Sequence, residues 1–219
     1  MKAYSVFLKD FSSEIRTRYA VNSLIMFIIV AISVILFSVG NESISPVLTG
    51  GLFWVVVFFS AMSGLSRAFV SEEERGTTLT LQLIASPSTV FSGKFIFNLV
   101  LTFAMNTVIA LLYSALFDEF ILKNFVLFLI TFIISNIGLA ASSTIIAAII
   151  SKAGAKGTLY PVLSFPILLP LILTSVKLTE FALDGTSIDD SIFELAIIVS
   201  YDVIMLSASY MLFDFIWKD

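Results

Sequence analysis

Long uninterrupted apolar runs alternate with short polar connections along this chain, and the runs have the length of membrane crossings. Val21 to Val39, Val47 to Leu65, Phe95 to Phe117, Phe125 to Ile150, Thr158 to Val176 and Ile192 to Ile216 each lie near the roughly 20 residues needed to cross hydrocarbon. A transmembrane β-barrel would instead show segments of roughly ten residues alternating in polarity. These runs are continuous, so the fold class expected is all-α: a polytopic membrane protein with six transmembrane helices in a single transmembrane domain over 1–219. A cleaved signal peptide is not expected, because a mostly polar stretch precedes the first run and five further runs follow it.

Ahead of the first run, Tyr4, Phe7, Leu8, Phe11, Ile15 and Tyr19 recur at helical spacing while Lys2, Lys9, Glu14, Arg16 and Arg18 occupy other faces. Residues 1–20 therefore read either as an amphipathic helix lying along the membrane surface or as a basic topology anchor. The sizeable polar island between two apolar runs extends from Arg67 to Lys94. Within it, Ser71 and Glu74 have the spacing of a capping box, and Glu72, Glu73 and Glu74 put negative charge where a helix N-terminus favours it. Leu79 and Leu83 fall one turn apart, Ser86-Pro87 stops the pattern, and Pro87 suits the first turn of the next helix. The spacing predicts a short water-facing helix within 71–87, between the second and third spans. On the residues alone, this segment is equally well a solvated loop packed on its own bundle.

Composition agrees with the pattern: 58% hydrophobic residues, 13% charged ones and a mean hydropathy of +1.05 lie outside the range of ordinary globular domains. Charge adds an orientation. Lys2, Lys9, Arg16, Arg18, Arg67, Arg75, Lys94, Lys152, Lys156 and Lys218 fall on one side of the alternating connections, and only Lys123 and Lys177 on the other. The positive-inside rule places the first set, with both termini, in the cytoplasm. Glu42, Asp118, Glu119, Glu180, Asp184, Asp189 and Asp190 mark the opposite face, and the net charge of -4 carries no nucleic-acid signal.

The chain has no Cys and no His, which excludes thiolate metal sites, disulfides, imidazole bases and His ligation of haem. No metal site is expected and no catalytic residue is assigned. A phosphate-binding loop is missing too: Gly93-Lys94 is followed by Phe95, and Ser88 stands where the first glycine of that motif belongs. Any nucleotide would have to be hydrolysed on another chain. Within the runs, Asp202, Asn106 and Asn136 fall at about the same depth and read as an intramembrane polar layer, with interhelical packing the favoured role and a substrate or conformational role the alternative. Asp202 is expected to be protonated or hydrogen-bonded to such neighbours. Gly138, Ser142, Ser143 and Ala147 suggest a close helix contact, while Pro161, Pro166 and Pro170 should bend or break the fifth helix and keep it away from lipid.

Arg67-Ala-Phe, then Glu72-Glu73-Glu74-Arg75-Gly76, Leu79, Ala85-Ser86-Pro87 and Gly93-Lys94, set between six spans with both ends inside, resemble the permease subunits of ABC exporters. Ser151-Lys152-Ala153, Gly157-Thr158-Leu159, Leu163 to Pro170 and Ala182-Leu183-Asp184-Gly185 narrow the resemblance to the haem exporter protein B (CcmB) family of cytochrome c maturation, over nearly the whole chain. The resemblance implies an ABC-2-like permease subunit that binds no cofactor directly, with haem as its possible substrate and ATP bound by a partner. The partners implied are an ABC ATPase of the cytochrome c maturation A type, a haem-handling membrane subunit of the C type, a small membrane subunit, a periplasmic haem chaperone and membrane lipid. Glu72, Glu73, Glu74, Arg75, Gly76, Leu79, Leu83 and Pro87 would then form the ATPase-coupling helix. Whether the subunit translocates haem, serves as a mechanical or scaffolding element, or carries another hydrophobic substrate stays open.

Overall fold

The computed structural model describes residues 2–40, 44–65, 69, 72, 76–152 and 159–218. Its elements are all helical: α1 (Ala3–Thr17), α2 (Tyr19–Val39), α3 (Pro46–Leu65), α4 (Thr78–Ile84), α5 (Pro87–Leu116), α6 (Phe125–Lys152), α7 (Leu159–Asp184), a 3-10 turn (Asp189–Ser191) and α8 (Ile192–Lys218). Six of these are long and apolar enough to cross a membrane. The observed helices overrun the predicted spans at polar ends. The helix carrying the third span begins at Pro87 rather than Phe95, and that carrying the fifth continues past Val176 to Asp184.

The bundle is organised around α6, which packs against α3, α5, α7 and α8. Its sequence explains that position, because Gly138, Ala140, Ala141, Ser142, Ser143 and Ala147 are all buried and let neighbouring backbones approach closely. Helices that share a membrane gain little from the hydrophobic effect between themselves, so close packing and interhelical hydrogen bonds hold them together. Trp54 of α3 donates its indole N–H to Thr179 Oγ1 of α7 at 2.8 Å, and Ser135 of α6 meets Ser175 of α7 at 2.7 Å. By contrast few residues of α2 and α8 are fully buried.

Of the bend or break expected in the fifth span, a break is not seen. α7 runs unbroken through Pro166 and Pro170, with Pro161 in its first turn. The Tyr201 hydroxyl of α8 donates to the Ile167 carbonyl at 2.9 Å, next to the carbonyl that Pro170 leaves without its helical donor. A neighbouring helix thus supplies a donor where the proline disturbs the backbone.

The two ends of the bundle are stitched differently. At one end Asn124 joins the α5–α6 connection to the end of α7, its N–H reaching Ala182 O at 2.9 Å and its side chain Thr186 O at 2.8 Å. At the other end lie α1, α4 and the last turn of α8: ion pairs join α1 to Glu72 and to α5, and the Gln82 amide of α4 donates to Trp217 O of α8 at 2.6 Å. The second end carries the candidate site.

Candidate functional site

The site begins with a close approach of α1 to α5. Val6 is fully buried, and a Cβ placed on Gly93 would lie 2.5 Å from Val6 Cβ and 2.7 Å from the Ala3 carbonyl oxygen. Only glycine leaves room there. The next residue, Lys94, is 1% exposed and holds its ammonium 3.1 Å from Asp10 Oδ2 on α1 and 3.2 Å from Glu72 Oε1. The Asp10 contact is an ion pair by distance without hydrogen-bond alignment. Lys9 completes the group, 3.1 Å from Asp10 Oδ1 and paired with Glu72. The four charges balance.

Neighbouring groups fix the carboxylate further. The Thr77 hydroxyl donates to Glu72 Oε2 at 2.6 Å, and the Phe69 ring lies 5.1 Å from the Lys94 ammonium. Burial alone would push the Glu72 carboxyl upward. The Lys94 charge, hydrogen bonds from Lys9 and Thr77, and the Lys9 charge outweigh it and hold the group at about 2 against an ordinary 4.5. Burial likewise pulls Lys9 down, but Asp10 and Glu72 leave it above its ordinary value. Glu72 and Lys9 therefore both carry their charges at neutral pH, and the quartet ties α1, the connection after α3 and the first turns of α5 into one unit.

From that unit projects α4. Leu81 and Ala85 are buried against the bundle, whereas Leu79 is 72% and Leu83 90% exposed, with Ile84 also exposed. Seven residues with two leucines turned outward form a small apolar knob on a polar, ion-paired base. It is a short helix. Among the described residues it begins at Thr78, its N-cap Thr77 makes no side-chain capping bond, and Glu72 serves the ion cluster. Ser71, Glu73, Glu74 and Arg75 lie outside the described residues. Gly76 has a φ of 65°, a turn conformation suited to glycine, and Pro87 occupies the first turn of α5 behind the N-cap Ser86.

The intramembrane polar residues separate into two places. Asn106 of α5 donates to Asn136 Oδ1 of α6 at 2.8 Å, and Asn136 donates back to Phe132 O at 2.7 Å. Asp202 of α8 is buried against Gly138 of α6 instead. Its Oδ1 has no hydrogen-bond partner among the described residues, so the expected bond to the asparagines is not made by that atom. The helix periodicity accounts for this: Asn136 and Gly138 are two residues apart and face different neighbours of α6. Lys9, Asp10 and Lys94 were not legible as site residues. The available signal was a lone Gly-Lys pair just ahead of an apolar run, in a helix whose partner face could not be known.

A protein-family model described as CcmB protein matches residues 1–212. No curated protein shows a significant match to the chain.

Proposed function

The chain belongs to the CcmB family, the membrane component of a haem exporter ABC system, and on that premise we propose that α4 is the lever through which a separate ATPase subunit moves the bundle. One observation carries this reading: the outward-facing Leu79 and Leu83 stand on a base clamped to α1, α5 and α8 by the ion quartet and by Gln82. A flexible loop would dissipate a push, whereas a helix tied to α8 through Gln82 and to the ion quartet through Thr77 and Glu72 transmits it. Apolar side chains on a polar rim also suit a groove on a partner protein.

The ATP-hydrolysing chain is then a subunit of the A type, and the lever faces the cytoplasm of a bacterial inner membrane with both termini. The C-type haem-handling subunit, the small membrane subunit and the periplasmic chaperone complete the assembly. With neither His nor Cys in the sequence, Met and Tyr are left as side chains able to ligate haem iron axially. That chemistry favours a second form of the reading, in which the bundle transmits motion to a haem-binding neighbour and so releases the loaded chaperone.

Co-purification tests the lever. Leu79→Asp with Leu83→Asp should abolish recovery of the ATPase while the chain still inserts and keeps its other membrane partners. Unchanged ATPase recovery, or labelling of a cysteine introduced at Leu79 by an impermeant thiol reagent in intact cells, overturns the assignment.

A further inference from the structure

A second feature lies on the same end of the bundle, outside the lever. α1 and α2 diverge from α5 to leave a groove of about 460 Å³, walled by Phe11, Ile15, Ile25, Val100 and Met105, with Arg18 at its polar rim. Phe11, Ile15, Ile25 and Val100 are exposed. Arg18 holds the junction of the two helices in a left-handed conformation, φ 51° and ψ 20°, which only a small fraction of non-glycine residues adopt. Glu14, the acidic group at the rim, accepts a hydrogen bond from the Val21 N–H and so caps the start of α2.

We propose that this groove is a binding site for one anionic glycerophospholipid of the surrounding bilayer, an acyl chain lying against Phe11, Ile15 and Val100 and the phosphate meeting Arg18. Three observations converge on that occupant. The walls are apolar, and four of the side chains that form them are exposed, as a membrane tail requires. Arg18 stands at the junction of α1 with the spanning helix α2, which the proposed topology puts at the depth of the lipid headgroups. Arg18 also offers a planar fork matched to phosphate oxygens. Because α1 is clamped to the lever base through Lys9 and Asp10, an occupied groove would brace the clamp from its lipid side.

Native mass spectrometry of the delipidated full-length chain, titrated with dioleoyl phosphatidylglycerol and dioleoyl phosphatidylcholine, tests the site. The wild type should retain one phosphatidylglycerol with preference over phosphatidylcholine. Arg18→Asn, which tolerates the left-handed backbone, should weaken phosphatidylglycerol about tenfold and erase the preference, and Arg18→Lys should keep most of it. Ala104 also lines the groove, and Ala104→Phe, which fills it, should weaken both lipids. Equal retention of the two lipids by the wild type, or an unchanged preference in Arg18→Asn, overturns the proposal. So does added haem that displaces the lipid from the wild type and binds more weakly to Ala104→Phe, since the groove would then be a substrate site.

Discussion

The buried ammonium of Lys94 stands 3.2 Å from the carboxylate of Glu72, joining the base of the third span to the connection that carries the lever. Removing one partner of a buried pair leaves the other charge uncompensated, which costs about 3–5 kcal/mol, whereas replacing the whole set with apolar groups can be nearly neutral. Lys94→Met should therefore lower the thermal stability of the purified chain strongly. Adding Glu72→Gln and Asp10→Asn to it should restore much of the loss. A triple variant as unstable as the single one would show that Lys94 acts through packing, including its contact with Phe69, and not through charge.

The same pairing gives stability a sign in pH. Glu72 is held at about 2 in the fold against an ordinary 4.5. Its contribution is fully present above about 4.5 and is lost as pH falls toward 2, because the protonated acid no longer pairs with Lys94 and Lys9. Unfolding midpoints followed across that window should fall less steeply for Glu72→Gln than for the wild type. Parallel profiles would place the ion cluster outside the acid response.

Gly93 should be the least tolerant position on this face. An added methyl meets Val6 Cβ at 2.5 Å and the Ala3 carbonyl oxygen at 2.7 Å, and backbone cannot swing aside as a side-chain tip can. Gly93→Ala should push α1 off α5 and raise hydrogen exchange over residues 3–17 by at least an order of magnitude, consistent with an overpacking cost of about 1–3 kcal/mol. Exchange unchanged in that segment would mean that α1 adjusts its seat without losing it.

How much of this was legible in the sequence depended on length scale. The six spans announce themselves because lipid demands continuous apolar surface, and the small residues of α6 mark a close contact from spacing alone. Lys94 was read as part of a water-facing connection, since a lysine at the edge of an apolar run is ordinarily solvated. It is buried because two acids from distant segments come to meet it, and that is a property of tertiary packing. Asp202 shows the same boundary. Its depth could be read from its position in the run, but its direction depended on the rotation of α8, which a helix apolar all round does not encode.

That rotation leads to a prediction for the membrane interior. Gly138 and Asp202 share one space: a Cβ on Gly138 would overlap Asp202 Oδ1 and lie 3.0 Å from both terminal carbons of Leu171. Gly138→Ala must therefore displace the carboxyl, press on α7 through Leu171, or both, for an overpacking cost of about 1–3 kcal/mol. Asp202→Ala alone removes the side chain that the new methyl would strike, and with it a buried polar atom that has no hydrogen-bond partner among the described residues. The double variant should then be more stable than the sum of the two single effects predicts, by at least about 0.5 kcal/mol, as expected for residues in contact. Simple additivity in a thermal-unfolding cycle would mean that Leu171 and α7, rather than Asp202, resist the methyl. The cycle therefore distinguishes a glycine kept to admit the carboxyl from one kept to admit the neighbouring helix.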